Sequence, residues 1–152
     1  MDALTSIPEQ KEVGMKYAII VLSIMLAADV SIADEIDPSI CNPDTQISYY
    51  SSGRLKSCPL KDDFVINGVN CNQYSVITLY ETGTLRSCVT RDYFKYDAIT
   101  CNQYSVVRFY PTGRLDTCDL FETVQIEDKN CVEYQPISFF ENGKLKSCSA
   151  PQ

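Results

Sequence analysis

Eight cysteines divide this chain of 152 residues into periods of 30 residues, and that spacing constrains the fold more than any other feature. Gaps of 17 and 13 residues alternate between successive cysteines, and a glycine followed two residues later by a leucine recurs once in every period. Segments 71–88 and 101–118 are identical at 11 of 18 positions. Self-similarity at a fixed period indicates stacked copies of one small unit. The sequence therefore predicts one domain of four repeats, over 41–70, 71–100, 101–130 and 131–152.

Each repeat has the residue pattern of a β-hairpin. In the third repeat, residues 105–110 are mostly β-branched or aromatic, as strands prefer, and 114–120 form the returning strand. Pro111 and Gly113 between them favour a three-residue loop with a bulge at the glycine. The resulting register pairs Tyr110 with Arg114, Phe109 with Leu115, Val107 with Thr117, and Val106 with Cys118. We therefore expect a core face of Val107, Phe109, Leu115 and Thr117, repeated as Ile77, Leu79, Leu85 and Ser87.

A short third strand is predicted after each of the first three hairpins, at 64–66, 94–96 and 124–126. The first of these strands runs into an Asn-Gly pair, which signals a type I′ turn. We predict an all-β fold, a β-hairpin repeat array that forms a solenoid-like extended sheet stapled by disulfides and preceded by an N-terminal apolar signal segment. Its two ends either stay open or close into a ring. The acidic segment 34–40 is expected to cap the array and blunt its first edge strand.

The start of the chain has the features of a secretory signal peptide. Residues 17–28 are almost wholly apolar and follow a lysine, and Ser31 and Ala33 are the small residues expected at −3 and −1. The apolar run is shorter than the about 20 residues that span a bilayer. We predict a signal peptide over 1–33, with Met15 as an alternative translation start, because the residues before it are acidic rather than basic. If the segment stays uncleaved, it is the one part of the chain expected to contact a membrane.

All eight cysteines follow the predicted cleavage site, and an even number of cysteines in an exported chain indicates a disulfide framework. Two regular pairings fit the spacing. Pairing across the returns joins cysteines 13 residues apart. It leaves Cys41 and Cys148 unpaired unless the row closes into a ring. Pairing within units uses all eight and is favoured because the cysteines begin and end on whole units. The candidates for disulfide bonding are Cys41, Cys58, Cys71, Cys88, Cys101, Cys118, Cys131 and Cys148.

Composition and missing motifs argue against several classes of function. Residues 34–152 contain 11 Lys and Arg against 16 Asp and Glu, and a net charge of −5 argues against nucleic-acid binding. The chain has no histidine, so Ser-His-Asp and Cys-His catalytic arrangements are impossible. No Cys-x2-Cys pair suggests a metal site. We predict no enzyme activity, no catalytic or metal-ligating residues and no cofactor.

An aromatic residue stands three positions before the glycine of every repeat, and we call these four residues the aromatic ladder. They are Tyr50, Tyr80, Tyr110 and Phe140. Flat rings at regular spacing could stack on sugars, which makes the ladder the candidate ligand-binding site. Alternatively, cross-strand aromatic residues stabilise neighbouring hairpins.

Charge also follows the repeat. Basic residues lie at or just past the hairpin tips, at Arg54, Lys56, Arg86, Arg114, Lys144 and Lys146. Acidic residues lie in the returns, at Asp62, Asp63, Asp92, Asp97, Glu122, Glu127 and Asp128. A basic border, interrupted by Asp116, could attract an anionic envelope polymer. The alternative is an ordinary solvated surface.

The segments 47–58 (ISYYSSGRLKSC) and 107–118 (VRFYPTGRLDTC) resemble the hairpins of MORN-like and antitoxin-like β-hairpin repeat proteins of bacteria. The resemblance covers all four repeats and implies an extended sheet used for interaction or scaffolding, without catalysis. The units are also similar to cell-wall-binding hairpin repeats, whose aromatic side chains clasp ligands between neighbours.

These observations predict an exported bacterial protein, periplasmic or secreted, that acts as a non-catalytic protein-interaction or structural module of the cell envelope. The alternative is a carbohydrate- or cell-wall-binding module that uses the aromatic ladder. A small secreted inhibitor or toxin-like domain is a third alternative, which fits less well because no repeat carries an inserted loop. The expected partner is a protein or an envelope polysaccharide.

Overall fold

The computed structural model describes residues 36–151, so the predicted signal peptide lies outside the described residues. The described strands are β1 (Ser48–Tyr49), β2 (Leu55–Pro59), β3 (Phe64–Ile66), β4 (Val69–Cys71), β5 (Val76–Leu79), β6 (Leu85–Val89), β7 (Phe94–Tyr96), β8 (Ile99–Cys101), β9 (Val106–Phe109), β10 (Leu115–Asp119), β11 (Val124–Ile126), β12 (Lys129–Cys131), β13 (Pro136–Phe139) and β14 (Leu145–Cys148). One 3-10 helix, Pro38–Ile40, precedes them. Residues 36–151 contain no helix with the length and apolar character needed to cross a membrane. The predicted all-β hairpin array is confirmed.

Eight of the strands form one antiparallel sheet in which each hairpin lies beside the next. The order β1-β2-β5-β6-β9-β10-β13-β14 follows the order of the chain. Because β1 and β14 lie at opposite edges of this sheet, the four hairpins form an open row rather than a ring.

The hairpin tips have the predicted three-residue loop. In the third repeat, the Tyr110 amide donates to the Arg114 carbonyl at 2.8 Å, and the Gly113 amide donates to the Tyr110 carbonyl at 2.9 Å. Gly113 has a φ of 79°, a left-handed conformation that costs glycine little because it has no Cβ. Phe109 pairs with Leu115, as the sequence predicts.

Beyond Leu115 the predicted register is wrong by one residue. Thr117 pairs with Arg108 instead of Val107, because Asp116 is an extra residue in a β-bulge. The bulge turns Thr117 to the opposite face of the sheet and brings Cys118 into the core. The second repeat has the same correction, with Ser87 on the opposite face and Cys88 buried.

The returns are small hairpins of their own, which we call the return ribbons. The predicted third strands are present as β3, β7 and β11, and each pairs with a strand that the sequence did not reveal, β4, β8 or β12. Asn67 and Gly68, at φ of 51° and 77°, form the tight turn of the first ribbon. The ribbons pack on one face of the sheet, the inner face. There the Phe94 ring contacts the Phe109 ring edge-on, with 5.8 Å between centroids.

The disulfides join Cys41 to Cys58, Cys71 to Cys88, Cys101 to Cys118, and Cys131 to Cys148, with Cα separations of 5.7, 5.8, 5.8 and 5.4 Å. This is the pairing within units. Cys101 reaches its partner because the chain turns back directly after it, and the Asn102 amide donates to the Asp119 carbonyl at 2.7 Å. Tyr104 completes that turn with a positive φ of 54°. The turn and the bulge at Asp116 together place the two sulfurs side by side.

The described part of the acidic segment leads into the first repeat through the 3-10 helix. The Asp37 carboxylate accepts a hydrogen bond from the Ser39 amide at 2.7 Å, and this bond lowers the pKa of Asp37. The Ile40 carbonyl accepts a hydrogen bond from the Lys61 amide at 2.8 Å. In the same way, the Asn70 carbonyl of ribbon strand β4 accepts a hydrogen bond from a backbone amide of the next repeat. The segment thus takes the place that a ribbon strand has in the inner repeats.

Candidate functional site

Within residues 36–151 the return ribbons all pack on the inner face, which leaves the other face of the eight-stranded sheet uncovered. We call it the open face. Its base row contains Pro59, Val76, Val89, Val106, Asp119 and Pro136. Its middle row contains Ser48, Ser57, Thr78, Ser87, Arg108, Thr117, Ser138 and Ser147. Its tip row contains the aromatic ladder with Lys56, Arg86, Asp116 and Lys146.

The base row exposes apolar side chains to solvent. Val76 is 55% exposed and Val106 is 40% exposed, and Pro136 also lies on the surface. Contiguous exposed apolar surface on a folded protein often marks an interaction site.

The tyrosines of the aromatic ladder tie neighbouring repeats together. The Tyr50 hydroxyl donates to the Leu79 carbonyl at 2.9 Å, Tyr80 to Phe109 at 2.8 Å, and Tyr110 to Phe139 at 3.0 Å. Each bond reaches 29 residues along the chain, to the residue before the next ladder position. At Phe140 the hydroxyl is missing, and no further hairpin follows it within the described residues. The ladder therefore has a structural role in the sheet.

Cations lie over three of the four ladder rings. The distances to the ring centroids are 5.6 Å from Lys56 to Tyr50, 5.7 Å from Arg86 to Tyr80, and 5.9 Å from Lys146 to Phe140. In the third repeat Asp116 occupies the position of these cations. Loss of hydration raises the pKa of the Tyr110 phenol, and the Asp116 carboxylate raises it further.

Replacing Tyr80 with phenylalanine is expected to lower the free energy of unfolding by about 1 kcal/mol, because the mutation removes one neutral hydrogen bond between repeats. The matched control is Phe140→Tyr, because within residues 36–151 no later hairpin supplies a carbonyl that could accept from the added hydroxyl. A change within about 0.5 kcal/mol is expected for this variant. Urea unfolding of both variants measures the difference. Equal effects at the two positions would contradict the structural role of the ladder hydroxyls.

The middle row consists of hydroxyl side chains except at Arg108. Neighbouring hydroxyls bond to one another, with 3.0 Å between Ser87 and Thr78 and 2.7 Å between Ser138 and Ser147. Arg108 is exposed, and the one ion pair within residues 36–151, between Arg91 and Asp63, does not involve it.

Two grooves lie beside the hairpin tips. The larger, about 600 Å³, opens on the inner face between the second and third ribbons and is lined by Tyr96, Asp97, Ile99, Arg114, Glu127 and Phe139, among others. The smaller, about 320 Å³, lies on the open face and is lined by Thr78, Tyr80, Arg86, Ser87, Arg108, Phe109, Tyr110 and Asp116. The smaller groove contains two of the four predicted ligand-binding residues.

Two of the basic residues at the hairpin tips brace the next hairpin. Arg54 donates to the Glu81 carbonyl at 2.9 Å, and Arg114 donates to the Glu141 carbonyl at 3.3 Å. Thr84 holds the equivalent position in the second repeat. The junction between the second and third hairpins therefore lacks this brace. The smaller groove lies at that junction, whereas the larger groove lies beside the tips of the third and fourth hairpins, where the brace from Arg114 is present.

No protein-family model matches the chain, and no curated protein or solved structure matches it either. Across residues 36–151, no three cysteine or carboxylate side chains are grouped as metal ligands.

The aromatic ladder lies at the hairpin tips, as the sequence predicts. The sequence does not by itself identify Arg108 as part of the smaller groove, which contains two of the ladder residues. Two departures from the repeat pattern could have indicated this groove. Arginine replaces serine or threonine at position 108 of the middle row, and aspartate replaces lysine or arginine at position 116 of the tip row. Both lie in the third repeat.

Proposed function

We propose that the protein is an exported, non-catalytic interaction module of the bacterial cell envelope, with the open face as its binding surface. The observation that carries this proposal is the uncovered base row, where Val76 and Val106 are exposed on the two sides of Val89. A sheet face whose only role is solubility has polar residues at such positions. The proposed partner of the base row is a protein that brings its own apolar surface.

The four disulfides are consistent with an oxidising, extracytoplasmic environment. Residues 36–151 contain no free cysteine. Export through the predicted signal peptide would deliver the chain to such a compartment, and cleavage after Ala33 would leave an N-terminus at Asp34.

Sugar stacking along the whole aromatic ladder receives less support than a protein partner. The cations over Tyr50, Tyr80 and Phe140 occupy a face of each ring. The tyrosine hydroxyls are already engaged in bonds between repeats. These side chains would have to release existing contacts before they could clasp a ligand.

A photo-cross-linking residue placed at Val76 tests the proposal in living bacteria that express the full chain. The matched control position is Val65, which is 67% exposed and lies on a return ribbon. We expect a discrete cross-linked protein from position 76 and none from position 65, in a fraction whose N-terminus is Asp34. The added substitution Val106→Asp is expected to abolish the product, because a carboxylate would enter the apolar contact.

Equal cross-linking from both positions, or a product that persists with Val106→Asp, would overturn the proposed binding surface. An intact N-terminus at Met1 or Met15 would overturn export through a cleaved signal peptide.

A further inference from the structure

The third repeat departs from the repeat pattern at two positions of the open face, and both positions line the smaller groove. Arg108 stands where the other repeats have Ser48, Thr78 and Ser138. Asp116 stands where they have a lysine or an arginine. An exposed position that has no binding role tolerates any polar residue. Two departures from the repeat pattern within one groove change the charges and the hydrogen-bonding groups that line it.

The groove brings two guanidinium groups together on neighbouring strands. Arg86 is on β6 and Arg108 on β9, where Ser87 pairs directly with Arg108. Adjacent strands lie about 4.8 Å apart, so two side chains that rise from them can reach one ligand group. Within residues 36–151 neither guanidinium forms an ion pair with a carboxylate. Both therefore have hydrogen-bond donors available to a ligand.

The Asp116 carboxylate changes the aromatic ladder at the same place. In residues 36–151, cations lie over the rings of Tyr50, Tyr80 and Phe140, but the third repeat has Asp116 in place of the cation beside Tyr110. The ring of Tyr110 is thus not covered in this way, and a hydrogen-bond acceptor stands next to it.

We propose that this groove binds a carboxylated sugar unit of an acidic polysaccharide. Arg86 and Arg108 bind the sugar carboxylate, since guanidinium groups match carboxylate geometry with two parallel hydrogen bonds. The apolar face of the sugar ring packs on Tyr110. Asp116 accepts hydrogen bonds from sugar hydroxyls.

Asp116 favours an acidic sugar over an acidic peptide. A peptide rich in Asp and Glu offers carboxylates and would be repelled by Asp116, whereas a sugar acid offers one carboxylate together with several hydroxyl donors. A groove with two guanidinium groups, one carboxylate and one uncovered ring complements that combination. The larger groove lacks it, because the guanidinium that lines it, Arg114, is held by the Glu141 carbonyl at 3.3 Å.

Calorimetric titration of the exported, oxidised protein with oligogalacturonate tests the proposal, with uncharged galactose oligomers and polyglutamate as comparison ligands. The key variant is Arg108→Thr, which gives the third repeat the residue that the second repeat has at Thr78. Its matched control is Lys144→Thr, which removes one positive charge from an exposed position outside the groove. Melting temperatures of both variants show whether folding is intact.

We expect the protein to bind oligogalacturonate and neither comparison ligand. Arg108→Thr is expected to weaken binding at least about tenfold, as the loss of a charged hydrogen bond implies, while Lys144→Thr leaves it within about twofold. No binding of oligogalacturonate, or equal losses in the two variants, would overturn the site. Equal or tighter binding of polyglutamate would replace the sugar with an acidic peptide. Because the base row lies outside the groove, these results are independent of cross-linking at Val76.

Discussion

Replacing Cys101 and Cys118 together with alanine is expected to lower the free energy of unfolding by about 3 kcal/mol. The disulfide closes a loop with a sequence separation of 17 residues, and a loop of that size contributes about this amount in the chain-entropy model. Both cysteines are almost completely buried, at 0% and 1% exposure, so their packing adds to the loss. Urea unfolding of the exported protein without reductant measures the change.

The matched control is the terminal disulfide, Cys131 with Cys148, which has the same separation of 17 residues. If loop closure dominates, the double alanine variants at the centre and at the end lose about the same free energy. A larger decrease in the free energy of unfolding for the central variant would show that the disulfide there also supports packing against the hairpins on both sides of the third repeat. A central double variant as stable as the parent would contradict the role of the disulfide.

The hairpin architecture could be predicted from the sequence because its signals are local. Gly113 and the proline before it specify the loop, and the β-branched run before them specifies the strand. The spacing of apolar residues also indicates the bulge at Asp116, but an interpretation that assumes strict alternation of buried and exposed residues misses it. Leu115, Cys118 and Leu120 are buried, so the apolar spacing is three and then two residues. Strict alternation from Leu115 would instead bury Thr117 and Asp119.

The second strand of each return ribbon could not be predicted with the same means. β4, β8 and β12 have three residues each, and β12 is polar at Lys129 and Asn130. The predicted strands β3, β7 and β11 are equally short, but each has at least two β-branched or aromatic residues, whereas β4 has one and β12 has none. Its strand character comes from pairing across a tight turn and, in the first two ribbons, from burial of Val69 and Ile99 against the sheet.

The proposed binding groove depends on contacts between repeats, which a sequence shows only indirectly. The Tyr80 hydroxyl and the Phe109 carbonyl lie 29 residues apart and meet because each repeat stacks at a fixed offset. The repeat pattern predicts that neighbouring ladder residues lie close together. It does not reveal which donor meets which acceptor, because the bulge shifts the register between them. Once the register is known, Arg108 and Asp116 stand out as the residues of the groove that depart from the repeat pattern.

Leu60→Ala is expected to lower the free energy of unfolding by about 2–5 kcal/mol, the range for a large-to-small change in a packed core. Leu60 is completely buried at the junction of the first two repeats. Its amide donates to the Ser75 carbonyl and its carbonyl accepts from the Tyr74 amide, both at 2.9 Å. Alanine keeps both backbone bonds, so the loss measures side-chain packing alone. Urea unfolding measures it against the exposed control Val65→Ala, for which a change within about 0.5 kcal/mol is expected.

Thr90 supplies a second comparison, because it holds the position of Leu60 in the second repeat. Its hydroxyl donates to the Asn102 carbonyl at 2.9 Å and is also 3.3 Å from the Ser105 carbonyl, which satisfies a polar group at 1% exposure. Leu60→Thr is therefore expected to destabilise the protein less than Leu60→Ala, since a threonine hydroxyl there can bond to the equivalent carbonyls and the methyl group fills part of the space. If Leu60→Thr is the more damaging change, the two junctions do not share one geometry, and the repeats are less equivalent than their sequences indicate.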